Sequence, residues 1–87
     1  MAEDELLSFP CELPIKVLGR NDAGFRQAAF GIVRSHYPDL EETRIGEQES
    51  RNRSYLSLTF IVQAQSREQA DALFRELTAS EDILMVF

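Results

Sequence analysis

The chain has one cysteine, one histidine, one lysine and no tryptophan among its 87 residues. Each scarcity removes a class of function. Cys11 alone cannot form an intrachain disulfide or a multi-cysteine metal site. No cysteine-enzyme signature surrounds it, so it reads as a small apolar residue at a strand entrance. His36 has no second ligand type or nucleophile near it in sequence. It reads as a residue at a helix C-terminus, where an imidazole meets the dipole favourably, and not as a general base or metal ligand. Positive charge is short: Lys+Arg number 9 against Asp+Glu 15, for a net charge of -6. Nucleic acids and anionic membranes both bind through phosphate attraction, so neither is an expected partner. No apolar run is long enough to span a bilayer. The opening Met1-Ala2-Glu3-Asp4-Glu5 is acidic, the reverse of a signal-peptide start. The expected location is the cytoplasm. At this length the chain makes one domain, hiding roughly 60–65% of its unfolded surface.

What is present is a strong secondary-structure pattern. From Tyr55 the residues alternate: Leu56, Leu58, Phe60, Val62 and Ala64 share one face, Tyr55, Ser57, Thr59, Ile61 and Gln63 the other. That predicts a strand with one apolar and one open face. Ser66-Arg67-Glu68-Gln69 is a capping box, a helix start. Ala70, Leu73, Phe74 and Leu77 then form a helical stripe. Ile83 to Phe87 is a short apolar run, read as a strand covered on both faces.

The first half repeats the plan. Residues 1–10 form a leader with Leu6, Leu7 and Phe9 as anchors, and residues 11–87 the domain. Pro10 and Pro14 bracket the entry to a first strand, which should begin near Ile15 because proline does not suit a strand interior. Gly19-Arg20-Asn21-Asp22 is a turn, with Asn21 or Asp22 as N-cap. Phe25, Ala29, Ile32, Val33 and His36 lie on one helical face, and Pro38-Asp39 ends that helix. Leu40 to Gln48 carries many charges and reads as an edge strand. Glu49 to Asn52 is the hairpin loop. The order is βαββαβ, and right-handed crossovers make it a ferredoxin-like α+β sandwich: a four-stranded antiparallel sheet with two helices on one face.

Two surfaces stand out. In the first turn, Gly19, Arg20, Asn21, Asp22, Gly24 and Arg26 place arginines beside a helix N-terminus, which suits a small carboxylate ligand. The turn resembles the amino-acid-binding loop of ACT domains, with the Asp22-to-Gly24 interval one residue short. The open face of the long strand, around Tyr55, Thr59 and Ile61, suits a protein partner or a homodimer. Gly24-Phe25-Arg26 resembles the phosphate loop of acylphosphatases, but the spacing is one short and the flanking motif is absent. Arg53 to Phe60 resembles an RNA-recognition signature with only one of the two outward aromatics, Tyr55, since Ser57 takes the second place.

Phe9-Pro10, Lys16-Val17-x-Gly19, the alternating strand and Met85-Val86 near the chain end resemble, in order and spacing, the YbeD-like family of small bacterial proteins. The resemblance covers nearly the whole chain. It implies a ferredoxin-like fold similar to ACT regulatory domains and a link to lipoate metabolism. It carries no catalytic residue. The expectation is therefore a regulatory or adaptor domain, with no catalytic residue, cofactor or metal. It binds a small effector or a protein partner.

Overall fold

The alternation that begins at Tyr55 sets the core. In the computed structural model, which describes residues 8–87, Leu56, Leu58, Phe60, Val62 and Ala64 all lie buried on one face of a ten-residue strand. The elements follow in the order β1 (Cys11–Arg20), α1 (Ala23–His36), β2 (Ile45–Glu49), β3 (Tyr55–Ala64), α2 (Arg67–Ala79) and β4 (Ile83–Val86). The sheet order is β2-β3-β1-β4, with every neighbouring pair antiparallel. This is the ferredoxin-like α+β arrangement. Both helices pack on one face, where Ile15, Val17, Phe25, Ala29, Val33, Leu73, Leu77 and Ile83 complete the core. Phe30 meets Phe60 edge-on, with ring centroids 5.6 Å apart and planes at 77°. The leader anchors Leu6 and Leu7 lie outside the described residues. Phe9 is half-buried, and its bond to Pro10 is cis.

Both helix starts form as their residues dictate. The Asp22 carboxylate accepts the Phe25 N–H at 2.8 Å, and the Ser66 hydroxyl accepts the Gln69 N–H at 3.1 Å. The return bond of the capping box is displaced by one residue. The Gln69 side chain accepts the N–H of Gln65, not of Ser66, at 2.8 Å.

Four expectations are corrected. First, β1 begins at Cys11 and runs through Pro14. Lys16 exchanges both backbone bonds with Phe87, so alternation aims Lys16 and Pro14 at the β4 side and Ile15 at β3. The pairing of β4 with β1 stops at Lys16, so the missing N–H of Pro14 breaks no ladder bond. Second, the strand expected from Leu40 is shorter. Leu40 and Ile45 pack against the core, while Glu42–Arg44 between them coils as a 3-10 turn. Third, Phe74 is 44% exposed. Leu73 and Leu77 take the buried stripe of α2, and Phe74, one residue round the helix from Leu73, falls on its shoulder. Fourth, β4 is covered on one face only. Ile83 is buried, but Leu84, Met85 and Phe87 are 50%, 55% and 57% exposed. With both helices on one side, no helix among the described residues covers the other face of β4.

Candidate functional site

Gly19 and Arg20, expected in the first turn, end β1 instead; Asn21 and Asp22 make the turn, and Gly24 and Arg26 lie at the start of α1. Asp22 caps α1, placing a carboxylate at the helix N-terminus where an anionic ligand would sit. Asn21 donates to Glu49 at 3.2 Å and to the Arg53 carbonyl at 3.1 Å, tying the turn to the β2–β3 hairpin. Arg53 holds that loop at a φ of 63°, in the left-handed region. Arg26 forms a two-pronged pair with Glu47 of β2. A Cβ on Gly24 would stand 3.5 Å from an Asp22 carboxylate oxygen and 3.6 Å from one of Asp82. Two acids therefore flank the helix start. Arg20 alone of the predicted set keeps its charge unpaired among the described residues. Gly19 has a packing reason: a Cβ there would lie 2.0 Å from the Phe25 ring.

The pair with Arg26 holds the Glu47 carboxyl below its ordinary value, chiefly through the side-chain hydrogen bond. A depressed carboxylate adds stability above its unfolded value, and the gain fades as pH falls through the folded value. Both groups are over two-fifths exposed, so the contribution is small, about 0.5 kcal/mol at neutral pH. Glu47→Gln should therefore lower urea stability slightly at pH 7, with the difference from wild type closing as pH falls through the lowered value of the Glu47 carboxyl.

The open sheet face is the larger feature. Register places Glu12, Pro14, Lys16, Leu18 and Arg20 of β1 opposite Gln63, Ile61, Thr59, Ser57 and Tyr55 of β3, all pointing away from the helices. Met85 lies across from Leu18, and Phe87 across from Lys16. The Lys16 ammonium stands 5.5 Å from the Phe87 ring centroid. The predicted residues Tyr55, Thr59 and Ile61 belong to this face. Lys16, Leu18, Met85 and Phe87 complete it. Their signal was the alternation within β1 and β4, legible only once the two strands are placed side by side.

A third feature is a groove of about 440 Å³ lined by the turn from His36 to Glu41, Arg44, Ile61 to Gln63, Gln65 and Gln69. His36 Nε2 lies 2.7 Å from a Glu76 carboxylate oxygen and joins the C-terminus of α1 to α2. The Tyr37 hydroxyl is buried without a hydrogen-bond partner among the described residues. Burial first, then nearby Cys11, pushes that phenol above its ordinary value. Among the described residues, no group of three or more His, Cys, Asp or Glu side chains is arranged to hold a metal. No helix among them is long and apolar enough to cross a membrane.

A family model described as "Protein of unknown function (DUF493)" matches residues 4–87. A UPF0250 protein of Nitrosomonas europaea is 43% identical over 77 residues, 88% of each chain. One of Hahella chejuensis is 41% identical over 80 residues, covering 92% of this chain and 88% of its own. One of Ralstonia nicotianae is 37% identical over 83 residues, covering 95% and 86%.

Proposed function

Because the chain belongs to the DUF493 family, the UPF0250 or YbeD-like proteins, whose names state no activity, we propose its role from its own surface. It is a regulatory or adaptor domain without catalysis that binds a protein partner through the open face of its sheet. One observation carries the reading. Met85 and Phe87 are more than half exposed, Tyr55 is 42% exposed, and all three lie on one face with half-buried Leu18 between them and half-buried Ile61 further along β3. Large apolar side chains scattered singly are ordinary; grouped on one face of a small domain they mark a contact surface. On the helical face Phe74 is the one exposed large apolar side chain among the described residues; the others turn inward and the charges outward.

A carboxylate metabolite at the first turn draws less support. The helix N-terminus is already capped by Asp22 and flanked by Asp82, and Glu47 engages Arg26. A further carboxylate there would meet like charge. Arg20, the remaining cation, points to the sheet face.

Affinity capture from lysate tests the proposal. A partner held by the full chain should be lost with Met85→Ser, Ile61→Asp and Tyr55→Ala. Retention by all three variants would contradict it.

A further inference from the structure

The charge on the sheet face runs against that of the molecule. The chain carries a net charge of -6. Yet of the strand residues that point away from the helices, only Glu12 is acidic, and Arg44 pairs with it. Glu47 turns to Arg26 of α1, and Glu49 engages Asn21 and Arg53. Lys16 and Arg20 of β1 face outward, are exposed, and have no ion-pair partner among the described residues. They lie about 13 Å apart along the strand, four residues at some 3.3 Å each. Leu18 sits between them, with Met85 and Phe87 alongside. The acids of α2, Glu68, Asp71 and Glu76, lie on the exposed side of the helix layer.

We infer that this face docks an acidic segment of another protein, with carboxylates for Lys16 and Arg20 and apolar side chains for Leu18, Met85 and Phe87. The inference rests on the reading of the sheet face as the binding surface and adds the chemistry of its occupant. Charge complementarity selects the occupant and its register more than its raw affinity. A basic segment would be drawn to the exposed acids of the loops, among them Asp39, Glu41, Glu42, Glu81 and Asp82, and repelled here. A second copy packed face to face about a two-fold axis would set Lys16 and Arg20 against the same cations. Nucleic acid would meet the repulsion of the whole chain before reaching two cations.

The test is selection of a displayed library of random peptides on the full chain. The bulk charge favours basic peptides, so the sheet face predicts the opposite of the simplest outcome. Enriched peptides should carry net negative charge and at least one large apolar residue. The double variant K16E/R20E should bind them at least tenfold more weakly, and raised salt should weaken wild-type binding. Both side chains are exposed, and an unchanged melting curve shows that the variant folds. M85S/F87S should also lose the peptides. Neutral or basic peptides that M85S/F87S still loses would overturn the acidic occupant while leaving the sheet-face reading intact. Peptides indifferent to both double variants, or no enrichment, would sink that reading and this inference together. Enrichment of sequences matching the chain's own acidic residues 1–7 would make the occupant the chain itself and overturn the separate partner.

Discussion

Gly19→Ala should destabilise the domain by about 3 kcal/mol, the upper part of the range for an overpacked core. For a domain of this size that lowers the melting temperature by roughly 10–20 °C. Gly19 is buried on β1, at an inward position of a central strand. The Phe25 ring from the first turn of α1 lies directly on it. An added Cβ would stand 2.0 Å, 2.4 Å and 2.5 Å from three ring carbons. Phe25 is 1% exposed and has nowhere to withdraw. The contact fixes where α1 leaves the sheet, because the helix is capped three residues earlier by Asp22. Phe25→Leu in the Gly19→Ala background should recover part of the loss, since the two positions share one space and their effects are not additive. Denaturant melts of the wild type, both single variants and the double variant measure this. Additive losses would show that the glycine serves something other than Phe25.

Phe60→Ala should cost about 4 kcal/mol, while Ile61→Ser, one residue along the same strand, should cost about 1 kcal/mol or less and abolish partner capture. Phe60 is 0% exposed and stacks edge-on with Phe30. Removing it leaves a cavity between sheet and helix, in a domain whose total stability is of order 5–15 kcal/mol. Ile61 points the other way and is half-buried on the open face. Neighbours in sequence should thus give opposite phenotypes, one in stability and one in binding. Melts and capture on the same two proteins check both. Equal effects on folding would mean that the two faces of β3 are not functionally distinct.

The alternation of β3 was legible because each inward position is apolar and the strand is long enough to repeat the pattern five times. The caps at Asp22 and Ser66 were legible because a short polar side chain before an apolar stripe has few other uses. Pro14 misled because a proline's cost depends on which side of the strand its missing N–H faces, and that follows from the extent of β4. Phe74 misled because the buried stripe of α2 is narrower than the apolar residues allow. β4 misled because a run of apolar residues does not say how many helix layers will cover it.

The candidate site divides the same way. Half of the sheet face was read from β3 alone. The other half required Lys16, Leu18, Met85 and Phe87 to be brought beside Thr59 and Ser57 by pairings between strands far apart in the chain. The paired state of Asn21 and Arg26 has the same origin. The hairpin residues Glu47, Glu49 and Arg53 that engage Asn21 and Arg26 are distant in sequence.

Amide chemical-shift mapping of the full chain with the tightest peptide from the selection tests the central claim most directly. The account predicts shifts at Lys16, Leu18, Ser57, Thr59, Ile61 and Met85, with the outward residues of α1 and α2 unmoved. Shifts concentrated on the helices, or confined to the turn from Asn21 to Arg26, would contradict it.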